Sequence, residues 1–309
     1  MNPAVSIIVP AYNAERHIRR CLDSISVQSF RDYEVLIIDD GSTDTTGQIA
    51  DIYANQDPRF VVLHKKNGGV SAARQDGIER ARGEYTLFVD SDDYISTEAL
   101  HELFSAAKSN DADLVICDFT LTRKDEKTEY WHQQPDSMDR NWLIGSMLYI
   151  CPICSKMIRT KCYRAHNIRF EEGINAGEDQ LFFLRILAAN DTIKCAYVGK
   201  ALYQYDLSQN SNSISNSGVN ASKRLLPLQL FRNEYDITPM QAAFDNAILH
   251  IAYDYLKRPD LCPDFKADFH SFRNNIKSAK GFPLYVKLLV LLRLHGIYIS
   301  VDRLKRVFK

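Results

Sequence analysis

Apolar residues in the first 120 positions fall into two alternating patterns. Short continuous apolar runs predict strands over residues 5–10, 33–39, 60–64, 85–90 and 114–119. Between them, helical spacing predicts helices over 14–28, 70–82 and 97–109, and another that is capped by residues 42–44 and runs to about residue 56. Regular alternation of apolar strands and helices is typical of an α/β fold with a parallel sheet covered on both faces.

After residue 120 this rhythm breaks. Residues 120–133 predict an exposed hairpin, 139–149 and 178–190 predict helices, and 193–205 predict short closing strands. Residues 209–220, QNSNSISNSGVN, form a polar low-complexity stretch that is typical of a mobile loop. From residue 221 onward the pattern is helical, so the sequence predicts an α/β body followed by a helical extension.

The charge of the chain is small in sum but uneven. The net charge is −1, yet residues 271–309 hold nine Lys or Arg and one acid, which places +8 on this segment and −9 on residues 1–270. Residues 282–309 are rich in apolar residues, and nearly all of their charged residues are basic. This composition suits a segment lying on an anionic membrane surface. The alternative is a helix pair that packs on the body or on a second subunit. Nucleic-acid binding has little support, because this basic concentration is apolar and C-terminal.

The cysteines and the N-terminus indicate a cytoplasmic protein. Seven scattered cysteines are not typical of a disulfide framework. The N-terminus lacks a basic segment before its apolar run, and no stretch approaches the ~18 apolar residues of a spanning helix. If the C-terminal segment binds lipid, we expect the protein to be peripheral on the inner face of the cytoplasmic membrane.

Acidic residues concentrate where the predicted strands end. The first strand ends in Pro10-Ala11-Tyr12-Asn13, the second in Asp39-Asp40-Gly41-Ser42-Thr43-Asp44, and the fourth in Asp90-Ser91-Asp92-Asp93. Ligands of open α/β sheets bind beyond these carboxyl ends, and so many acids would repel one another without a cation. Mg²⁺ and similar ions take carboxylate oxygens together with substrate phosphates. Capping of the next helix is the alternative, and it suffices for Asp44 but not for three acids in one turn.

Six segments, in order and spacing, resemble family 2 glycosyltransferases with the GT-A fold. They are VSIIVPAYNAE, YEVLIIDDGSTD, NGGVSAAR, GEYTLFVDSDD, SKMIRTKCYRAHNIRFEE and GEDQLFFLRIL, and the resemblance covers about residues 4–215. It implies a GT-A, Rossmann-like α/β fold with a mostly parallel sheet flanked by helices and a helical C-terminal extension. It also implies a catalytic domain over 1–215, with a nucleotide-sugar-binding half at 1–119 and an acceptor-binding half at 120–215, followed by a helical region at 216–309.

The resemblance implies a set of donor-binding roles. Pro10 and Tyr12 would line the base pocket, Asp40 would accept a hydrogen bond from the base, and Asp39 would lie beside it or order the loop. The Asp90-Ser91-Asp92 segment resembles the DXD motif of the family, with Asp92 as the direct Mn²⁺ or Mg²⁺ ligand and Asp90 on ribose or metal-bound water. The donor-binding residues implied are Pro10, Tyr12, Asp39, Asp40, Arg74, Asp90, Ser91, Asp92 and Lys156.

Arg74 and Lys156 would supply positive charge to the donor. The resemblance places Arg74 near the base or the diphosphate. It places Lys156 near the diphosphate or the Asp pair, and a structural lysine is the alternative. The family often has an aromatic residue two positions before this lysine, whereas Cys154 stands there in this chain.

Asp179 resembles the catalytic base of the family, with Glu178 as its neighbour. Inverting sugar transfer is a single displacement, so it needs one base on the acceptor side and charge stabilisation on the leaving-group side. A helix N-terminus favours the ionised form of such a base. Because acids are common in the first turn of a helix, a purely structural role for both residues is the alternative.

A CxxC pair offers a competing site. Cys151 and Cys154, with Cys162 and His166, have loosely zinc-like spacing, and a redox pair is a second interpretation. Buried free thiols are the ordinary alternative. No role is assigned to His17, His64 and His250.

The function predicted is inverting transfer from a nucleotide sugar, with UDP favoured, to a saccharide or lipid-linked saccharide acceptor in surface polysaccharide or lipopolysaccharide synthesis. A catalytically inactive homologue that binds nucleotide sugar and acts through protein interaction is the alternative. A nucleotidyltransferase needs a glycine-rich loop after the first strand, and a dinucleotide-dependent oxidoreductase needs G-x-G-x-x-G there. PAYNAE contains neither, which argues against both classes.

Overall fold

The computed structural model describes residues 2–123, 125, 127–140, 143–144, 152–174, 176–208, 221–256, 262 and 269–279. Its strands are β1 (Val5–Ala11), β2 (Tyr33–Asp39), β3 (Phe60–His64), β4 (Tyr85–Phe88), β5 (Tyr94–Ile95), β6 (Leu114–Thr122), β7 (Thr128–Trp131), β8 (Lys156–Arg159) and β9 (Cys195–Asp206). Its α-helices are α1 (Ile18–Ser26), α2 (Thr46–Gln56), α3 (Val70–Arg80), α4 (Ala99–Ser109), α5 (Lys161–Arg164), α6 (Glu178–Ala189), α7 (Ala221–Glu234), α8 (Gln241–Leu256) and α9 (Arg273–Ser278).

The strands form one sheet in the order β3-β2-β1-β4-β8-β6-β9-β5, with β7 paired to β6. Strands β3, β2, β1 and β4 are parallel, as are β6 and β9, so most paired residues are in parallel register. Strand β8 lies antiparallel between β4 and β6. Because β8 reverses direction on both sides, β4 and β6 point the same way, and the carboxyl ends of β1, β2, β4, β6 and β9 meet at one edge of the sheet.

Apolar runs explain the centre of the sheet. Every residue of β1 and β2 is buried, as expected for strands that are covered on both faces. Helix α3 packs on these two strands, and a Cβ at Gly77 would lie 2.4 Å from Ile8 Cγ2. Glycine at this position therefore lets the helix approach the sheet closely and places the N-terminus of α3 beside the strand ends.

Several element boundaries differ from the predictions. Helix α1 begins at Ile18 rather than at residue 14, because the preceding segment bonds to the first residue of α2: Ala14 N–H donates to Thr46 Oγ1 at 2.7 Å. The predicted short closing strands over 193–205 are one long strand, β9. Strand β5 was not predicted. The predicted hairpin is confirmed by β6 and β7.

Other predictions fall wholly or largely outside the described residues. They concern the helix over 139–149, the loop over 209–220 and the basic segment over 282–309. In the described part after residue 220 the chain is helical, as predicted, and α7 packs on α6. None of the helices that the structure describes is both long and apolar enough to cross a bilayer.

Candidate active site

Two adjacent carboxylates at the end of β2 are fully engaged by their surroundings. Asp39 Oδ1 accepts a hydrogen bond from Ser42 N–H at 3.0 Å, and its Oδ2 lies 2.8 Å from His64 Nδ1. Asp40 accepts from Gly68 N–H at 2.9 Å and from Gly69 N–H at 2.7 Å. Burial alone would raise the pKa of Asp39, but the hydrogen bonds from Ser42 and His64 outweigh it and hold that pKa below its ordinary value. Asp39 is therefore an ionised, fixed acceptor at neutral pH, and the two glycine amides hold the Asp40 side chain in place.

The loops after β1 and β2 are bonded to each other. Asn13 N–H donates to Ser42 Oγ at 3.0 Å, and Thr43 N–H donates to Asn13 Oδ1 at 2.8 Å. Tyr12, beside them, is 52% exposed, whereas Pro10 is buried in β1. An exposed aromatic ring next to fixed carboxylates is a suitable surface for a planar heterocycle. Asp44 accepts from Thr46 N–H at 2.9 Å and from Glu15 N–H at 3.3 Å, so it joins the start of α2 to the loop after β1, while the N-cap position itself is Thr45.

The acids after β4 separate into two kinds. Asp93 is 2% exposed and accepts hydrogen bonds from Tyr203 Oη at 2.6 Å and Asp206 N–H at 2.8 Å. Burial, followed by the charges of Asp92 and Asp90, raises the pKa of Asp93 well above its ordinary value. Asp90 and Asp92 are only partly buried, on either side of the buried Ser91. Asp93 therefore anchors the turn to β9, while Asp90 and Asp92 lie nearer to solvent.

Arg74 joins this turn to the beginning of α6. Its Nη1 lies 2.5 Å from Glu178 Oε1 and its Nη2 lies 2.8 Å from Asp90 Oδ1. The side chain is buried, and its Nε has no partner among the described residues. Sequence reasoning placed Arg74 near the base or diphosphate, and the structure places it between two carboxylates. One guanidinium thus brings the two acidic segments into a single cluster.

Asp179 follows Glu178 in the first turn of α6. Burial, followed by the negative charge of Glu178, raises the pKa of Asp179 to about 7, although Arg74 acts in the opposite direction. A carboxylate whose pKa is near 7 can accept a proton from a hydroxyl far better than an ordinary aspartate can. The helix begins after Gly177, whose φ of +76° is in the left-handed region that favours glycine.

Lys156 does not contact the acidic cluster. It is 2% exposed, and its Nζ lies 2.9 Å from Pro152 O, 3.3 Å from Ser155 Oγ and 3.4 Å from Gln133 Oε1. Lys156 begins β8 at the edge of the sheet where β4 ends, but its partners there are neutral oxygens. This arrangement is that of a structural lysine.

Cys154 lies beside the acids instead. One possible ligand atom from each of Asp90, Asp93 and Cys154 lies within 4.8 Å of the other two. Burial and the nearby acids raise the pKa of the Cys154 thiol well above its ordinary value, so the thiol stays protonated and is a poor ligand. Cys154 and Cys162 are buried free thiols, and Cys151 lies outside the described residues, so the CxxC interpretation stays a prediction.

The carboxylates that reach solvent fit a hard divalent cation. Mg²⁺ and Mn²⁺ prefer oxygen ligands, and Asp90 and Asp92 supply carboxylate oxygens two residues apart. Arg74 engages only Oδ1 of Asp90, which leaves Oδ2 able to bind a cation. Asp93 is less suited to the same task because it is 2% exposed and burial raises its pKa well above its ordinary value, which favours the neutral carboxyl.

Sequence reasoning missed two supporting residues, His64 and Tyr203. His64 contacts Asp39, and Tyr203 Oη donates to Asp93 while accepting from Asp90 N–H at 3.2 Å. His64 is the last residue of β3, so its place at a strand end was a usable signal. Tyr203 lies within the long strand β9, and its pairing could not be inferred from local pattern.

Comparison with known proteins bears on this site. The family model "Glycosyl transferase family 2" matches residues 6–176. The protein named uncharacterized glycosyltransferase EpsJ of Bacillus subtilis (strain 168) is 34% identical over 223 residues, which cover 70% of this chain and 64% of EpsJ. The chain thus spans less than two thirds of the length of that relative.

Two solved structures share the fold. The crystal structure of Staphylococcus aureus TarS 1–349 in complex with UDP-GlcNAc has a TM-score of 0.71 and 22% identity, and covers 100% of this chain and 93% of that chain. Mannosyltransferase PcManGT from Pyrobaculum calidifontis, in complex with GDP-Man and Mn²⁺, has a TM-score of 0.57 and 13% identity, with 98% and 88% coverage. The likeness to TarS confirms the expected GT-A α/β fold with a mostly parallel sheet and helical C-terminal part.

Proposed function

Because the chain belongs to glycosyltransferase family 2, we propose that it transfers a sugar, with inversion, from a UDP-sugar to a hydroxyl of a saccharide acceptor. One observation carries the proposal: Arg74 binds both Asp90 and Glu178. It holds a cation-binding segment and a base of raised proton affinity at one edge of the sheet. Sugar transfer needs these two functions on opposite sides of the reacting carbon.

The donor nucleotide binds along the ends of β1 and β2. Tyr12 offers an exposed ring face to the base. Asp40 Oδ1 accepts Gly68 N–H and lies 3.3 Å from Lys65 Nζ, whereas Oδ2 accepts Gly69 N–H and keeps acceptor capacity for a base N–H. Uracil N3–H is such a donor. The UDP-GlcNAc bound by TarS, which shares the fold, supports a UDP-sugar as the first donor class to test.

The diphosphate lies next to the turn after β4. Asp92 and Asp90 would hold Mn²⁺ or Mg²⁺ through oxygen atoms, and the Mn²⁺ in the PcManGT complex supports this choice. When bound, the cation neutralises the negative charge that develops on the departing diphosphate. Arg74 contributes by fixing the orientation of Asp90 from the buried side.

Asp179 acts as the base on the acceptor side. Its pKa of about 7 lets it take the proton of the attacking hydroxyl, while Glu178 stays paired with Arg74. A single displacement inverts the configuration at the sugar carbon. The relative TarS is named a beta-N-acetylglucosaminyltransferase, and a β-product from the α-linked UDP-GlcNAc is the outcome of inversion.

We place the reaction in surface polysaccharide or lipopolysaccharide synthesis, with a saccharide or lipid-linked saccharide as acceptor. In this proposal residues 1–215 form the catalytic domain, and 120–215 supply its acceptor side. The names of the relatives, among them poly(ribitol-phosphate) beta-N-acetylglucosaminyltransferase TarS, support a glycan-type acceptor. A lipid-linked acceptor would be consistent with a cytoplasmic enzyme whose basic C-terminal segment lies on an anionic membrane surface.

Two isosteric variants test these roles. The wild type should release UDP from at least one member of a UDP-sugar panel when Mn²⁺ and an acceptor mixture are present. Asp179→Asn should retain UDP binding by calorimetry but lose about 1000-fold or more in transfer, because the base is gone. Asp92→Asn should lose the Mn²⁺-dependent part of turnover.

A matched variant makes the result decisive. Asp111→Asn changes an exposed carboxylate before β6, at the opposite edge of the sheet, and it should leave transfer within about twofold of wild type. If Asp179→Asn loses UDP binding together with transfer, the assignment of Asp179 as base is wrong. If the wild type neither binds nor cleaves any UDP-sugar, the proposed donor is wrong.

A further inference from the structure

His64 touches a carboxylate with each of its ring nitrogens. Nδ1 lies 2.8 Å from Asp39 Oδ2, and Nε2 lies 3.1 Å from Asp51 Oδ1. Ionised carboxylates only accept hydrogen bonds, so both nitrogens must donate for both contacts to be favourable. A neutral imidazole has one N–H, whereas the imidazolium has two. Two donated hydrogen bonds in this geometry therefore require a positively charged histidine.

Of the two partners, Asp39 is the one that a charge on His64 affects most. The Asp39 side chain is 8% exposed, whereas that of Asp51 is 52% exposed and well solvated. Charge pairs that face water contribute little, while a buried carboxylate depends on its partners. The contact of His64 with Asp39 is also shorter than its contact with Asp51. The positive charge of the protonated ring therefore stabilises Asp39 more than Asp51.

Asp39 in turn orders the loop that carries Asp40. Its Oδ1 accepts Ser42 N–H at 3.0 Å, and its main-chain oxygen accepts Lys65 N–H at 3.0 Å. Asp40 is the next residue in the chain and binds the Gly68–Gly69 turn. A change in the orientation of Asp39 would therefore change the position of Asp40, to which the contact with uracil is assigned.

The neighbouring helix has a site that accommodates this pair. A Cβ added to Gly47 in α2 would lie 2.6 Å from Asp39 Oδ2 and 3.1 Å from His64 Cε1. Any side chain at position 47 would displace the carboxylate or the ring. Glycine here does not supply an unusual φ, since the residue is helical, so its role is to leave space for the contact between Asp39 and His64.

Few other charges face His64. Strand β2 contributes Asp39 and helix α2 contributes Asp51, and these two carboxylates are the charged groups that raise the pKa of His64 most. The adjacent Lys65 points elsewhere, with its Nζ 3.3 Å from Asp40 and 3.0 Å from Asp76. Two acids and no close cation surround the imidazole, which favours its charged form.

We propose that His64 is a positioning residue of the donor pocket and that nucleotide binding is tightest when His64 is protonated. This inference rests on the proposed UDP-sugar function. The charged ring holds Asp39 in the orientation that orders the loop, whereas the neutral ring has no charge and one N–H for two carboxylates, so it holds Asp39 more weakly. The same loop then samples more conformations, and the cost of ordering it is subtracted from the binding free energy of the nucleotide.

The direction of the pH effect follows from the contacts. The hydrogen bonds with Asp39 and Asp51 raise the pKa of His64 above its ordinary value. Below that raised pKa the ring is charged and the contribution to binding is fully present. As the pH rises through it the proton leaves, and the affinity for UDP falls by about threefold to tenfold, the range expected for one partly exposed charged contact.

The test compares UDP binding by calorimetry, from about pH 6 to about pH 9, for the wild type and His64→Asn. Asparagine can donate one hydrogen bond to Asp39 but does not titrate. The ratio of wild-type to variant affinity should be largest at low pH and approach one at high pH, and taking the ratio cancels the titration of UDP itself. In Asp51→Asn the affinity for UDP should decline at a lower pH than in the wild type, because the substitution removes one acid that favours the charged ring.

Two further variants complete the experiment. Gly47→Ala keeps His64 but crowds the pair, so it should weaken UDP binding at low pH to about the level of His64→Asn. His101→Asn, at an exposed position on α4, should keep the wild-type pH dependence. A pH-independent ratio of wild type to His64→Asn would overturn the inference while leaving UDP binding intact. Absence of UDP binding by the wild type at every pH would instead overturn the proposed function on which it rests.

Discussion

Asp39, Asp93 and Asp179 are chemically identical side chains with different proton affinities. Asp39 accepts hydrogen bonds from Ser42 and His64, which lower its pKa although burial opposes them. Burial raises the pKa of Asp93, and Tyr203 and the Asp206 amide satisfy its oxygens without neutralising a charge. Burial and the negative charge of Glu178 raise the pKa of Asp179. The environment thus separates a fixed acceptor, a structural carboxyl and the proposed base.

The raised pKa of Asp179 predicts the pH dependence of transfer. Only the ionised form accepts a proton, so kcat should rise about tenfold per pH unit below about pH 7 and level off above it. Glu178→Gln removes the negative neighbour and lowers the pKa of Asp179, so the rising limb should move to lower pH by about half a unit to one unit. The measurement is kcat at saturating donor from about pH 5 to about pH 9.

The control for this profile is Glu171→Gln. Glu171 pairs with Arg185 at 2.8 Å, away from Arg74, so its loss should leave the rising limb in place. A limb that stays at the wild-type position in Glu178→Gln would contradict the assignment of the limb to Asp179. A limb that moves upward would show that release of Arg74 changes the site more than the removed charge does.

The helices and strands differ in how well local pattern could predict them. Strands β2 and β3 have the predicted bounds, because an apolar run between turn residues defines both ends. Strand β5 is two residues long, and β8 is defined by pairing with β4 and β6 rather than by its own sequence. The acids at strand ends were predictable because parallel strands share an edge. The bond from Arg74 to Glu178 joins positions 104 residues apart, and no local pattern encodes it.

The contact between α7 and the start of α6 predicts that a helix distant in sequence positions Asp179, the proposed base. Gly173 and Gly177 both have positive φ, +80° and +76°, so alanine should cost each about 1 kcal/mol of unfolding free energy. A Cβ at Gly177 would also lie 3.0 Å from Pro227 Cγ, whereas a Cβ at Gly173 would meet no atom within 4 Å. Gly177→Ala should therefore lower transfer about tenfold or more by displacing Asp179, while Gly173→Ala keeps near wild-type transfer.

Urea unfolding and transfer rates of the two variants separate strain from displacement. Equal loss of transfer in both variants would mean that backbone strain alone is responsible. Unchanged transfer in Gly177→Ala would mean that α7 does not position the base, and the packing of α7 on α6 would then be a matter of stability alone.

Across the chain as a whole, the acidic body and the basic C-terminal segment have opposite needs. The proposed active site gathers carboxylates and is expected to repel anionic surfaces unless a cation is bound, while residues 271–309 carry a net +8. The pairing of an acidic site with a basic, apolar segment would orient the protein at an anionic membrane with the site held off the surface. Such an arrangement suits an acceptor that projects from a lipid carrier.

The basic segment predicts salt-dependent binding to anionic vesicles. The full chain should sediment with vesicles containing phosphatidylglycerol but not with pure phosphatidylcholine, and high salt should weaken the binding. Lys305→Gln combined with Arg306→Gln keeps the apolar residues and removes two charges, so it should weaken binding about tenfold while UDP binding is unchanged. The matched control, Lys108→Gln combined with Lys200→Gln, removes two charges from the body and should leave vesicle binding at the wild-type level. The contrary result is that the full chain binds neither vesicle type and that deletion of residues 280–309 lowers its unfolding temperature. The segment then packs on the body instead, because apolar residues that are not covered by lipid must be covered by protein to leave water.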